Sequence, residues 1–297
     1  MTKIFSKCFA IITLLVLTIS CNQKTEKSET KSTAKDNRET RFYSKIVADT
    51  FSISVRLPHD YNPKEKYPVV YVLDANIYFD IIGTTINKYN ELGLAPSVIL
   101  VGIGYKDFQT LDSLRNRDYT YPIADAEYEM TVSGGADKFL NFINTELIPH
   151  IDKEYKTDTT KRVLMGHSLG GYLTSYALLQ NLRDRQNNFS GFIAASPSLH
   201  YNKYYLLDQF RIVAQQQNKN NETKAYFTFG ELEDKEDEDE PNVKKVGEVA
   251  KELTTLLSEN QSKSLNFKCD IFSNLAHMDT PIPSFIKGLQ WTLEANK

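Results

Sequence analysis

The chain has little cysteine, a single tryptophan, no excess of basic charge and no apolar run long enough to cross a membrane. Three cysteines in 297 residues cannot build a disulfide framework, and none stands in the paired Cys-x-x-Cys spacing that holds zinc, so no structural metal is expected. The longest apolar run, Phe9 to Leu17 with Thr13 inside it, is about half of the ~20 residues that a spanning helix needs. A net charge of −3 leaves no basic face of the kind that binds nucleic acid. What is present is ordinary for a folded chain: 41% apolar and 25% charged residues, with 17 Tyr and 16 Phe to fill a core.

Residues 1–20 read as a signal peptide, with Lys3 and Lys7 before the apolar run and small Ser20 after it. Leu17-Thr18-Ile19-Ser20-Cys21 resembles the lipobox of bacterial lipoproteins, in which cleavage precedes the cysteine and its thiol carries diacylglycerol; Thr18 stands where leucine is usual. The resemblance implies a protein exported to the bacterial cell envelope and held at a membrane through a lipid on Cys21. Asn22 to Arg41 carry no large apolar group, so this segment cannot offset the entropy of ordering and reads, with Cys21, as a disordered tether over 21–41.

From Phe42 onward, strand and helix signals alternate. Phe42 to Val47 and Phe51 to Pro58 are β-rich runs close enough to form an antiparallel hairpin. Tyr67 to Leu73 and Ser97 to Tyr105 are continuous apolar runs, the pattern of strands buried on both faces. Further strands are predicted at Arg162 to Met165, Phe192 to Ala195, Ala225 to Phe229 and Phe267 to Phe272. Helices are predicted at 77–94, around Phe139 to Ile151, and at roughly 172–182, 242–257 and 282–295. Such alternation implies parallel pairing through right-handed crossovers. The expectation is one three-layer α/β sandwich over 42–297, with a mostly parallel sheet of about eight strands and an antiparallel N-terminal hairpin.

Gly166-His167-Ser168-Leu169-Gly170 follows one predicted strand and runs into an apolar helix, the setting of a Gly-x-Ser-x-Gly nucleophile elbow. A serine hydroxyl is a poor nucleophile at neutral pH and needs a base, and that base needs a carboxylate to orient it. In the order nucleophile, acid, base, only His200 and His277 follow Ser168; His277 lies just beyond the last predicted strand, and His200 comes too early. The acid is expected after the strand ending at Phe229, where Gly230-Glu231-Leu232-Glu233-Asp234 points to Glu233 with Asp234 as the alternate. The carboxylate block that follows reads as a solvated loop, since a calcium loop needs spaced ligands and glycine.

The stretches FSISVRLP, YPVVYVLDAN, RDYTYP, GGADKFLNFINTELIPHIDKEY, GHSLGGY, SPS, FGELED and the His277 loop together resemble the putative-esterase branch of the α/β-hydrolases. That group contains esterase D, feruloyl and siderophore esterases and the mycolyl transferases, and RDYTYP with GGADKF is most similar to the siderophore-esterase-like members. The resemblance implies a cofactor-free serine hydrolase acting on a small-molecule carboxylic ester, of siderophore, carbohydrate or feruloyl type, through an acyl-enzyme. An acyltransferase with the same triad is one alternative, and a non-catalytic binding protein on the same fold is another. The resemblance also implies an oxyanion hole built from the backbone N–H groups of Leu169 and Asn76. Ala75 stands where the family commonly has glycine, a strained choice if that position needs a positive φ. His200-Tyr201 replaces a frequent tryptophan, which implies a more polar pocket around both residues. Arg115, Arg117 and Asp118 lie in the long connection from Tyr105 to Phe139, where Arg117 either binds an anionic or catecholate group or pairs with Asp118.

Overall fold

A computed structural model describes residues 37–293 except 129, 185–187, 215–221, 237–242 and 260–264. The signal peptide, Cys21 and the tether through residue 36 lie outside these. Eight strands form one sheet in the order β1-β2-β4-β3-β5-β6-β7-β8, comprising β1 (Asn37–Ser44), β2 (Asp49–Arg56), β3 (Tyr67–Val72), β4 (Ile99–Gly104), β5 (Thr157–His167), β6 (Gly191–Ala195), β7 (Thr223–Gly230) and β8 (Leu265–Phe272). β1 pairs antiparallel with β2, and β2 antiparallel with β4; every other pair is parallel. The expected sandwich and N-terminal hairpin are therefore found. β1 differs: it begins at Asn37, inside the stretch read as tether. Its ladder to β2 runs from Asn37 opposite Arg56 to Ser44 opposite Asp49, and an edge strand held by backbone bonds needs no apolar pattern of its own.

Two helices cover one face of the sheet, α1 (Ala75–Glu91) and α9 (Pro281–Thr292). Their Tyr78, Phe79, Ile82, Phe285 and Leu289 pack on Val70, Val72, Met165 and Ile193. The opposite face carries α3 (Ala136–Phe142), α4 (Ile148–Glu154), α5 (Leu169–Asp184), α6 (Tyr201–Ala214) and α8 (Val246–Glu259) over the larger core. A π-helical stretch, Ile143–Leu147, joins α3 to α4, so the apolar residues recurring from Phe139 to Ile151 lie on one continuous helical path. The connection after Tyr105 contains α2 (Phe108–Tyr119), capped by the Asp107 carboxylate accepting from the Thr110 N–H at 2.8 Å. The short α7 (Glu233–Glu236) follows β7. Among the described residues no helix is long and apolar enough to cross a membrane.

The antiparallel end of the sheet is pinned by aromatic packing. Phe51 of β2 is fully buried, stacks on Phe142 with ring centres 4.8 Å apart, and meets Phe139 and Tyr105 edge-on at 5.2 and 5.7 Å. Truncating it leaves a cavity that three rings cannot close. Phe51→Ala is expected to lower the unfolding free energy by about 3–5 kcal/mol. Urea denaturation checks this, with Ile271→Ala, at an exposed position of the edge strand, expected to change it by less than about 0.5 kcal/mol.

Candidate active site

The parallel strands deliver their chemistry at their C-terminal ends. Asp74 after β3, Ser168 after β5 and Ser196 after β6 all have left-handed backbones, with φ of 51, 57 and 38°. At Ser168 the chain reverses from β5 straight into α5. A Cβ on Gly166 would run into the Gly170 carbonyl, and one on Gly171 would sit 2.9 Å from both the Ala195 carbonyl oxygen and Pro197 Cα. The two glycines are therefore required by the closeness of the reversal. The Ser168 N–H donates to the Ala195 carbonyl at 3.1 Å, and its own carbonyl accepts from Tyr172 and Ser198 N–H groups at 2.8 and 3.1 Å. Ser168 Oγ lies 3.2 Å from Ser198 Oγ.

Glu233 and His277 come from loops after β7 and β8, and those loops are tied together. Leu232 N–H donates to the Leu275 carbonyl at 3.0 Å, and Glu231 N–H to the Phe272 carbonyl at 3.0 Å. His277 Nδ1 donates to Glu233 Oε2 at 3.0 Å, while Glu233 Oε1 accepts from Ser196 Oγ at 2.6 Å and from the Gly230 N–H. Burial opposes ionisation of Glu233, but these three donors outweigh it and hold the carboxyl below its ordinary value. Asp234, the alternate acid, is used elsewhere: its Oδ1 accepts from Val246 N–H at 2.6 Å at the start of α8. With Nδ1–H donating to Glu233, a neutral His277 ring carries its lone pair on Nε2.

The two proposed oxyanion donors are N–H groups in first helical turns, where no intrahelical acceptor exists: Leu169 opens α5 and Asn76 is the second residue of α1. The turns touch, since a Cβ on Gly170 would lie 3.2 Å from Asp74 Oδ2. The left-handed residue is Asp74 and not Ala75, which is an ordinary first helical residue; the strain expected at alanine is carried by a residue type that tolerates it. Arg115 holds the Asp74 carboxylate with two donors at 2.8 and 3.2 Å, and Tyr119 Oη accepts from the Asp74 N–H at 3.2 Å. Burial pushes the Asp74 carboxyl up and Arg115 pulls it back, while the guanidinium itself stays charged. The Asn76 amide brackets Tyr105, donating to its carbonyl at 2.9 Å and accepting its N–H at 2.8 Å.

The remaining sequence candidates sit apart from this constellation or support it from behind. Arg117 donates to both oxygens of buried Asp118 at 2.7 and 3.0 Å and to Asp49 at 3.0 Å. The ion pair expected between Arg117 and Asp118 is therefore formed. Tyr201 is buried against Tyr172 and Tyr128 and its hydroxyl donates to the Pro122 carbonyl at 2.9 Å, so its polar tip is spent on loop packing. His200 is exposed, and its carbonyl accepts from Tyr128 Oη at 2.9 Å. Sequence reasoning passed over Ser196, Ser198, Asp74 and His167. The two serines stood in the SPS stretch without a role, although lying just past a strand adjacent to β5 was a usable signal.

His167, directly before the nucleophile, is buried with both ring nitrogens engaged, Nε2 by the His277 carbonyl at 3.0 Å and Nδ1 by Tyr78 Oη at 2.9 Å. Burial first, then the neighbouring His277, drives its pKa down to about 3, and burial pushes the Tyr78 phenol up to about 12.

A family model described as "Putative esterase" matches residues 44–270. Ferri-bacillibactin esterase BesA of Bacillus subtilis is 34% identical over 196 residues, covering 62% of this chain and 66% of that protein. Apo-salmochelin esterase of Escherichia coli is 28% identical over 158 residues, covering 50% of this chain and 47% of its own. The chain thus spans about half to two thirds of the length of these curated relatives. Among solved structures, the BES protein from Bacillus cereus superposes with a TM-score of 0.75 at 24% identity, covering 97% of this chain and 100% of that one. Siderophore hydrolase EstA from Aspergillus nidulans gives 0.70 at 20% identity, covering 88% and 95%. These superpositions fix the α/β-hydrolase-like fold.

The depressed His167 has a consequence for stability. The unfolded chain takes up its proton near the ordinary histidine value of ~6.5, whereas the folded chain refuses it until about 3, so the unfolded state binds more protons between these limits. Stability should fall as the pH drops from about 6.5 toward 3, by up to ~1.4 kcal/mol per pH unit from this group. Urea midpoints at pH 7 and pH 5 measure it. His167→Gln should show a smaller drop than the parent, and equal drops would contradict the assignment.

Proposed function

The chain belongs to the putative-esterase family, and from that premise we propose that it is a serine hydrolase cleaving carboxylic esters through an acyl-enzyme. The observation that carries the reading is the Glu233–His277 hydrogen bond at 3.0 Å, on loops beside a serine held at φ 57°. In the proposed reaction Ser168 Oγ attacks the ester carbonyl and gives its proton to His277 Nε2. Glu233 keeps the ring oriented and faces the imidazolium as it forms. The Leu169 and Asn76 N–H groups hold the oxyanion, His277 returns the proton to the departing alcohol, and water repeats the sequence on the acyl-enzyme. No step calls on a cofactor.

Relatives named as ferri-bacillibactin esterase, apo-salmochelin esterase and siderophore hydrolase support an ester-bearing siderophore as the substrate class. Export and a lipid on Cys21 belong to the same proposal and rest on the pattern of residues 1–21.

Turnover of an aryl ester and of a trilactone siderophore tests the reading. Ser168→Ala is expected to lower kcat by about 10⁴-fold or more, and Glu233→Gln by about 10²–10⁴-fold. Asp234→Asn, at a helix start, should leave kcat within about twofold. Unchanged turnover by Ser168→Ala removes the nucleophile from the account.

A further inference from the structure

Between the nucleophile and the two loops that serve it lies a pair of side chains that the proposed mechanism does not use. His167 and Tyr78 are both buried, on β5 and α1, with rings edge-on at 5.9 Å. The hydrogen-bond roles follow from elimination. A carbonyl oxygen only accepts, so His167 Nε2 must carry a hydrogen to meet the His277 carbonyl at 3.0 Å. In a neutral ring Nδ1 then has a bare lone pair, and Tyr78 Oη, 2.9 Å away, must donate to it. The chain of donors runs in one direction, from Tyr78 through the imidazole to the backbone of the proposed base.

Its two ends matter. Tyr78 stands two residues after Asn76, in the first turn of α1 and beside the turn proposed to hold the oxyanion. The His277 carbonyl opens the short turn His277–Asp279 and also accepts from Thr280 Oγ1 at 3.0 Å, and Thr280 Oγ1 meets Ser196 Oγ at 2.7 Å. Ser196 in turn donates to Glu233. The backbone of His277 is thus gripped from β5 and its ring from the loop after β7. His277 and His167 ring centres are 4.5 Å apart, so a charge on one bears on the other. The ionisable groups that bear on His167 are Arg115 on α2, Glu233 and His277.

We propose that His167 is a positioning residue for the serine chemistry: as a neutral imidazole donating to the His277 backbone and accepting from Tyr78, it sets the base loop against the first turn of α1. This rests on the esterase reading above, and it assigns a function to the residue preceding the nucleophile beyond filling space. A neutral ring also adds no second positive charge beside His277 when that imidazole takes the serine proton.

The test uses the folded protein with three variants. His167→Phe keeps a ring and removes both hydrogen bonds; kcat is expected to fall about 10–100-fold with KM within about threefold. Tyr78→Phe removes only the hydroxyl and should lower kcat about 3–10-fold. His167→Gln, whose amide can donate to the same carbonyl, should recover most of the loss seen with phenylalanine. Nitrogen-15 spectra of ring-labelled protein should show His167 as the Nε2–H neutral form from pH 8 to pH 4. The low-field proton of the His277–Glu233 bond should shift or broaden in His167→Phe. Labelling of Ser168 by a fluorophosphonate separates the two readings: a parent protein that neither labels nor turns over esters overturns the esterase assignment, and the nitrogen-15 tautomer still reports on His167. A His167 that protonates together with His277, or a His167→Phe enzyme within twofold of the parent in kcat, overturns the proposal. If His167→Phe does not fold, Tyr78→Phe and the tautomer decide, an unchanged kcat in Tyr78→Phe counting against it.

Discussion

Ser168 sits at φ 57°, a backbone region that costs a non-glycine residue of order 1–3 kcal/mol and persists only where its surroundings over-determine it. Those surroundings are β5 on one side and α5 on the other, with no residue between the left-handed serine and the first helical turn. The carbonyl of the strained residue accepts from Tyr172, inside α5, and from Ser198, on the neighbouring loop, so the reversal is locked from both sides. The reversal leaves no room for a side chain at Gly166, which faces the Gly170 backbone, and packing of the helix start against the end of β6 leaves none at Gly171. The same price recurs at Asp74 and Ser196, and both make contacts within the site. Asp74 abuts Gly170 behind the elbow, and Ser196 donates to Glu233.

Holding Asp74 in place needs a buried charge, and that requirement explains the long connection after β4. Asp74 is 1% exposed and would be costly to ionise without a partner. Arg115 arrives on α2, meets it with two donors and lies over the Tyr119 ring, its carbon 5.8 Å from the ring centre. Two residues along, Arg117 neutralises buried Asp118, whose other donor is Tyr105 at 3.0 Å. Both arginines of this helix thus meet buried carboxylates.

These long-range dependencies mark what could be read from the sequence. Ser168 was legible because its glycines and the flanking strand and helix are local in the chain, and His277 because only two histidines, His200 and His277, follow the serine. The buried strands Tyr67–Val72 and Ile99–Gly104 announced themselves as unbroken apolar runs. Glu233 and Asp234 are adjacent carboxylates of one chemistry, and only the way the loop after β7 is stitched to Leu275 turns one toward His277 and the other toward α8. The start of β1 was hidden for a different reason: Asn37 to Arg41 join the sheet through the backbone ladder to β2, and a polar stretch of sequence carries no apolar periodicity to detect. The left-handed residue was sought at Ala75 because the resemblance points to that position, whereas it is Asp74, whose carboxylate is held by Arg115 from 41 residues away in the chain.

Taken together, the charges near the nucleophile are arranged to stay matched until a reaction unbalances them. Asp74 is met by Arg115, Asp118 by Arg117, and His167 holds no charge because burial denies it one. Glu233 is the exception: three hydrogen bonds hold it ionised, yet its one partner able to become a cation is His277. In the proposed reaction a positive charge grows on that imidazole and a negative one on the substrate oxygen. The first appears against a carboxylate already in place, the second at two helix N-termini, whose dipoles favour an anion. The constraint imposed at Ser168 thus reaches the electrostatics: by fixing α5 at the elbow and, through Asp74, α1 beside it, the strained backbone orients the dipoles that the oxyanion needs.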